Sequence, residues 1–372
     1  MAPASASPRP ASANGAAAFA DAFAGEVEDR LRRLIAHERR RCAELGPARE
    51  EVLGALERAA LAGGKRVRSK LMYVAFVGAG GRPGEAQAVD AGAALELLHT
   101  GCLVHDDIMD ASPLRRGLPT VHAAFEALHR GAGWCGDASQ FGASTAILVG
   151  DLAFYHAMAL MTAAPRDAQR IFCEVGIDAG MGQYLDLRAA AEPATGEDAQ
   201  LVARYKTARY TVEGPLQLGA ALAGRLDDLA APLAEYGRPL GEAYQLRDDL
   251  LGAFGDPAVT GKPVGDDLRQ GKHTVLLAAA RERVDELPDP RARALLRRVG
   301  RDELDEPEVR ELQAVLVATG ARERVAQECD ARVRDALEAL DRVDVSPQAR
   351  VVLRGFALKF AQGAAEAAVA AS

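Results

Sequence analysis

The chain is short of several residues, and each shortage closes off a class. Its five cysteines (Cys42, Cys102, Cys135, Cys173 and Cys329) are odd in number, widely spaced and form no C-x-x-C pair. That argues against a disulfide scaffold and a thiolate zinc site, and points to a reducing compartment, the cytoplasm. The seven histidines form no ligand set: His99 and His105, six residues apart, leave a helix in different directions. Positive charge is outweighed, 45 Lys and Arg against 53 Asp and Glu for a net −8, so no nucleic-acid surface is expected. No uncharged apolar run stands out at the ~18 residues of a membrane span. Aromatic residues are 5% of the chain, with a single Trp, Trp134, and the one Asn is Asn14. β-Branched runs and strict apolar–polar alternation are scarce, which leaves little from which to build a sheet.

Ala and Leu dominate a 49% hydrophobic content, and apolar residues recur every three to four positions. Phe23, Val27, Leu31, Leu34 and Ile35 are one example. The fold class is therefore all-α. By length the chain has room for roughly two to three domains, but a large helical core can be one. We expect a single all-α domain over 19–372 behind a disordered Ala/Pro/Ser tail over 1–18. Helices are expected over 50–62, 70–79, 91–104 and 144–161. Loops are expected over 131–142, which carries Trp134, and over 190–199. The C-terminal third reads as helical and without chemistry.

Chemistry concentrates in two acidic clusters. The apolar helix expected over 91–104 runs into Asp106, Asp107 and Asp110. Asp106 and Asp110 stack one turn apart, with Asp107 beside them. Like charges repel there, and the C-terminal end of a helix disfavours them further. A hard cation would neutralise them, and carboxylates without His or Cys select an ion such as Mg²⁺. Asp248 and Asp249 repeat the arrangement at the end of a second apolar run. Two such ends facing one cavity could hold several Mg²⁺ ions around a polyphosphate.

Cations are placed to match. Lysine is rare, six in all, and Lys65, Lys206, Lys262 and Lys272 sit in glycine-rich turns or beside motif residues. Gly63-Gly-Lys-Arg-Val-Arg-Ser69 brings Lys65, Arg66 and Arg68 together in a turn suited to a diphosphate. Arg115 and Arg116 follow Asp110 in a loop with two prolines and a glycine. Gln183 and Asp186 lie on an otherwise apolar helix, either beside the metals or as a satisfied buried pair. Lys206 and Thr207 could cap the cavity, and the 261–272 loop reads as one that closes over phosphate. His99 is a candidate phosphate donor.

Taken in order, these motifs resemble the trans-isoprenyl diphosphate synthases, or polyprenyl synthetases, from about residue 50 to 280. The resemblance rests on Gly64-Lys65-Arg66 with Arg68, and on the first Asp cluster with Arg115-Arg116-Gly117. Gly182-Gln183 with Asp186, Lys206-Thr207, Gln245 with Asp248-Asp249, and Gly261-Lys262 complete it. It implies a helical bundle around a deep central cavity, a homodimer, and condensation of an allylic diphosphate with isopentenyl diphosphate. It further implies three Mg²⁺ ions on Asp106, Asp110 and Asp248, with Asp107 and Asp249 in support. Arg115, Lys206, Thr207, Gln245, Lys262 and Lys272 would hold the allylic diphosphate and close the site. Lys65, Arg68, His99 and Arg116 would hold isopentenyl diphosphate.

Two positions depart from the family pattern: Ser69 stands where Pro is common, and Gly252 where the second cluster often has its last Asp. Product length depends on what lies beneath the first cluster. Gly101 and Cys102, one turn deeper, are small, so Leu98 and Phe154 or Tyr155 are expected to form the floor, with a geranylgeranyl (C20) product. Farnesyl and C25 or longer diphosphates are the alternatives. A class I terpene cyclase is disfavoured by the missing Asn/Ser/Glu motif and the few aromatics. A non-catalytic synthase subunit is disfavoured because both Asp pairs and the basic turn are present.

Overall fold

The computed structural model describes residues 13–191, 196–255, 265–269, 271–300 and 304–369. The helices are α1 (Ala13–Arg41), α2 (Gly46–Leu61), α3 (Val67–Gly78), α4 (Ala86–Met109), α5 (Val121–Ala132) and α6 (Ala138–Met161). They continue with α7 (Arg166–Ala191), α8 (Gly196–Val202), a π-helical segment (Ala203–Glu213), α9 (Gly214–Leu222) and α10 (Leu226–Phe254). A short α11 (Asp266–Arg269) leads to α12 (Val275–Glu282), α13 (Pro290–Arg298), α14 (Glu306–Ala318), α15 (Ala321–Leu340) and α16 (Pro347–Val369). The only sheet among the described residues is a two-stranded ribbon, β1 (Leu114–Arg115) with β2 (Leu118–Pro119).

α4 is the centre. It is apolar on every side, as a helix enclosed by others must be, and Leu95, Leu97 and Val104 are all but fully buried. Side chains of that size contribute about 1.5–3 kcal/mol each on burial. α6 packs along it, α1 and α3 cover its N-terminal half, and α10 runs through the other half of the bundle against α15 and the π segment. Two apolar clusters result, one around α4 and α6 and one around α10 and α15. The acidic C-terminal ends of α4 and α10 are left on the cavity between them.

Local expectations fail where glycine has a packing role. Gly142 reads as a loop residue, yet α6 already begins at Ala138 and runs through it. A Cβ there would lie 2.4 Å from the His122 carbonyl oxygen, so glycine lets α5 and α6 touch. The loop expected over 131–142 shrinks to the turn between Ala132 and Ala138. The linker expected over 190–199 is mostly taken up by the end of α7 and the start of α8. Helix α1 already covers part of the tail expected over 1–18, and residues 1–12 lie outside the described residues.

α6 holds 24 residues and an 18-residue window of mean hydropathy 1.3, so by length and composition it could cross a membrane. It packs on α4 and α5, with 39% of that window buried. All five cysteines are free thiols.

Candidate active site

The cavity between α4 and α10 has a volume of about 1390 Å³ and takes in both Asp pairs, whereas Asp110, exposed at the end of α4, is not among its lining residues. Asp106, Asp107, Asp248 and Asp249 line it together with Lys65, Arg68, His99, Arg115, Arg116, Lys206, Thr207, Gln245 and Lys272. Distant parts of the sequence thus meet as expected. Lys262 and Gly261 lie outside the described residues.

The two Asp pairs are built alike. In each, the first carboxylate faces the cavity and the second is buried beneath it. Asp107 is 4% exposed and accepts from Arg115 Nε at 2.7 Å, while Arg115 Nη2 reaches Asp106 at 3.3 Å. Asp249, also 4% exposed, accepts from Gln245 Nε2 at 2.7 Å and from the Val275 backbone N–H at 3.1 Å. Both oxygens of Asp249 are therefore engaged within the protein. Burial pushes the carboxyls of Asp107 and Asp110 above the ordinary range, and Asp106 adds to it at both. Asp249 is pushed up to about 8, by burial first and by Asp267 and Asp248 in addition. Among the described residues, no three His, Cys, Asp or Glu side chains converge as a ready-made metal cage.

Asp110 caps α4, and the chain then turns back through Ala111 at φ 48°. In the ribbon that follows, Arg115 pairs with Leu118, leaving Arg116 and Gly117 as the turn, at φ 54° and 74°. A two-residue hairpin turn of the I′ kind needs positive φ at both places. This folds Arg115 back over the Asp pair. It also directs Arg116 onto the carbonyls of Ala62, at 3.2 Å, and Gly63. Arg116 thus fastens the ribbon to the basic turn.

Within that turn the three cations part company. Lys65 is exposed to the cavity. Arg68 lies 4.2 Å over the Tyr210 ring and donates to Thr211 at 2.8 Å, and its Nε is buried without a hydrogen-bond partner. Arg66 does something else. It stands at φ 49°, is 8% exposed, and pairs with the buried Glu96 at 2.9 Å and with Glu28. Ser69, at the position where the family often has Pro, donates to the same Glu96 at 2.8 Å. Arg66 is thus a structural anchor for the turn, although the sequence groups it with its cationic neighbours.

The wall opposite α4 is the π segment, and π-helical stretches frequently coincide with functional sites. It places Lys206, Thr207, Tyr210 and Thr211 on the cavity. Two glycines on neighbouring helices let it approach. A Cβ on Gly182 would lie 2.3 Å from the Lys206 backbone nitrogen, and one on Gly241 would lie 2.4 Å from the Ala208 Cα. Lys206 contacts Asp106 at 3.4 Å and bonds Asp186. Burial disfavours its ammonium, but Asp106 and Asp186 outweigh that and raise its pKa. Lys272 behaves likewise, with Asp267 its largest support. Asp186 therefore belongs to the charged site through Lys206. Gln183 instead reaches Met109 Sδ at 3.6 Å.

His99 bonds Tyr210 through Nδ1 at 3.0 Å, and burial together with Arg68, Arg115 and Arg116 lowers its pKa well below the usual value. It is a neutral imidazole among cations. Tyr210, Thr211, Tyr244, Arg247 and Asp267 also line the cavity and are absent from the sequence-based set. Tyr210 and Thr211 follow Lys206-Thr207 by one turn, a periodicity that could have identified them.

Beneath the first cluster the expected floor is partly revised. Leu98, Cys102 and Phe154 line the cavity, whereas Tyr155 is 70% exposed and faces outward. A Cβ on Gly101 would lie 2.5 Å from the Phe154 ring. The smallness of Gly101 makes room for Phe154, which closes the space below, and does not extend the cavity.

The sequence profile of the polyprenyl synthetase family matches residues 49–316. A geranylgeranyl diphosphate synthase of Mycobacterium tuberculosis is 36% identical over 297 residues, 78% of each chain. A geranylfarnesyl diphosphate synthase of Aeropyrum pernix is 32% identical over 299 residues, 76% of this chain and 84% of its own. In fold, the chain matches a geranylgeranyl pyrophosphate synthase from Corynebacterium glutamicum, crystallised with isoprenyl diphosphate and magnesium, with a TM-score of 0.85 at 37% identity. That match covers 92% of this chain and 98% of the other. With a family profile, curated relatives and a solved fold all running through the same two acidic helix ends, the chain belongs to the polyprenyl synthetase family.

Proposed function

We propose that the protein is a trans-prenyltransferase that condenses an allylic diphosphate with isopentenyl diphosphate, with geranylgeranyl diphosphate as product. The observation that carries this reading is two Asp pairs and several Arg and Lys side chains on one cavity that is also lined by Leu98, Cys102 and Phe154. The metal fits the site. Its donors are hard carboxylate oxygens, and burial leaves Asp107 and Asp249 disfavoured as anions until a cation arrives. Asp106, Asp110 and Asp248 would hold Mg²⁺, three ions per site, with Asp107 and Asp249 fixing their neighbours. Bound there, Mg²⁺ supplies charge stabilisation for a departing pyrophosphate.

The protein groups divide the remaining work. Arg115, Lys206, Thr207, Gln245 and Lys272 hold the allylic diphosphate, and fixed cations stabilise charge as it develops on the leaving oxygens. Lys65, Arg68, His99 and Arg116 hold the second diphosphate and so place its double bond against the allylic carbon. A neutral His99 donates one hydrogen bond without adding repulsion to that crowd of cations. The proton lost after condensation can pass to the pyrophosphate, so no dedicated protein base is needed. Incubation with radiolabelled isopentenyl diphosphate and each of dimethylallyl, geranyl and farnesyl diphosphate tests the reading. Longer diphosphates are expected, and hydrocarbon products or none would overturn it.

Chain length should depend on Phe154. Phe154→Ala opens the floor, and chromatography of the dephosphorylated product should reveal at least one further C5 unit. An unchanged distribution would put the floor elsewhere. Gly101→Phe is expected to shorten the product, but only by pushing Phe154 aside.

The protein is further read as a cytoplasmic homodimer with one catalytic domain over 19–372. Leu148, Tyr155 and Met158 on α6, and Ile177, Met181 and Tyr184 on α7, are all more than half exposed. Apolar stripes of that size mark a protein interface. Tyr155→Arg with Met158→Glu should convert a dimer to a monomer in size-exclusion light scattering. A wild type that runs as a monomer would refute the assignment.

A further inference from the structure

Arg68 stands in the first turn of α3 and lines the cavity. Its guanidinium sits on a long, flexible stem, so where it points depends on what surrounds it. The backbone beneath is fixed. A Cβ on Gly219 would lie 2.2 Å from the Met72 carbonyl oxygen, so α3 and α9 touch with no side chain between them. α9 continues directly from the π segment, Gly214 following Glu213. A Cβ on Gly214 would lie 2.3 Å from Val175 Cγ2, so that junction is seated as closely on α7. α3 and the π segment therefore hold one another in register, and the Arg68 side chain is what remains to be placed.

Two consecutive residues of the π segment place it. The guanidinium lies 4.2 Å over the Tyr210 ring, and Arg68 Nη2 donates to Thr211 Oγ1 at 2.8 Å. A ring face attracts a cation without fixing how the planar group is turned above it. A hydrogen bond is directional, and the one to Thr211 supplies that turn. Tyr210 is 4% and Thr211 1% exposed, so water competes little for either contact. The Tyr210 hydroxyl is engaged by His99 Nδ1 at 3.0 Å. One turn earlier the same segment carries Lys206 and Thr207, which border the other end of the reacting pair.

We propose that Thr211 is a positioning residue for isopentenyl diphosphate: its hydroxyl sets the orientation of the Arg68 guanidinium and so the direction from which Arg68 meets the diphosphate. Thr211 acts through Arg68 and needs no contact with the substrate. The proposal rests on the assignment of Arg68 to the second diphosphate. It makes the π segment common to both substrates, serving the allylic diphosphate with Lys206 and Thr207 and isopentenyl diphosphate through His99 and Arg68.

Steady-state kinetics with each substrate varied in turn test this, using an allylic diphosphate that wild type accepts. Thr211→Val keeps the shape and removes the hydroxyl. It should raise KM for isopentenyl diphosphate about tenfold, the lower range for a hydrogen bond to a charged group. KM for the allylic diphosphate and kcat should each change less than about threefold, the pattern of a lost binding contact. Thr211→Ser restores the hydroxyl and should stay within about threefold of wild type on every parameter. In an Arg68→Ala background, Thr211→Val should add less than about twofold, because the group through which it acts is gone. The proposal fails if Thr211→Val leaves KM for isopentenyl diphosphate unchanged or raises both KM values alike. It fails too if Thr211→Ser behaves as Thr211→Val, or if the Thr211→Val effect persists in full without Arg68. Should Thr211→Val not fold, Thr211→Ala takes its place in the same series. A wild type that consumes no isopentenyl diphosphate would instead overturn the functional reading on which the proposal stands.

Discussion

Asp106→Asn should lower kcat/KM by about 10³-fold, the upper range for losing one preorganised electrostatic group, while the free protein stays as stable or gains slightly. Two opposing effects decide the signs. In catalysis, Asp106 is the cavity-facing member of the first pair, and it gathers Lys206 at 3.4 Å and Arg115 at 3.3 Å. Neutralising it weakens the hold on a cation and loosens two diphosphate-binding side chains together. In the free protein, however, its negative charge works against its neighbours, raising the carboxyl pKa of Asp107 and Asp110. Removing that charge relieves the crowding, and Lys206 and Arg115 keep Asp186 and Asp107 as partners. Function at the cost of stability is the pattern expected of a working site. Steady-state kinetics at several Mg²⁺ concentrations and urea unfolding of the free protein check the two halves. Activity within tenfold of wild type, or a large loss of stability, would mark Asp106 as structural.

Much of this site can be read from the chain because its chemistry contradicts its surroundings. Carboxylates ending an apolar helix are costly, and the two Asp clusters stand out for that reason. Rare lysines are informative in the same way: Lys65, Lys206 and Lys272 all reach the cavity. What escapes the sequence is set by contacts between distant helices. The π-helical turn over Ala203–Glu213 has no compositional mark, and its shape goes with close approaches at Gly182 on α7 and Gly241 on α10. Glycine is the recurrent source of error. Gly142 reads as a loop and is a helix crossing, and Gly101 reads as open space and is a seat for Phe154. In each case local propensity is overruled by a neighbour that only the fold supplies.

Arg66→Ala should be strongly destabilising, costing about 3–5 kcal/mol, because it leaves a buried carboxylate uncompensated. Arg66 and Glu96 have side chains 7% and 4% exposed and meet at 2.9 Å. Arg66 also donates to the Ala60 carbonyl at 2.8 Å and faces Glu28, so one guanidinium ties α1, α2 and α4 together. Without it Glu96 retains only the Ser69 hydroxyl at 2.8 Å. Arg66 already bears the strain of φ 49°, and Arg66→Ala removes the contacts that hold this conformation. Adding Glu96→Gln should recover more than half of the loss, because a neutral amide needs no counter-charge. Chemical denaturation of wild type, Arg66→Ala and the double variant measures all three values. Since the Arg66 guanidinium is taken up by Glu96, Glu28 and the Ala60 carbonyl, while Lys65 is exposed to the cavity, the same series separates anchoring from anion binding. Pyrophosphate affinity per folded molecule should fall far less in Arg66→Ala than in Arg68→Ala. A loss under 1 kcal/mol, or no recovery in the double variant, would mean that the pair is not what holds the basic turn in place.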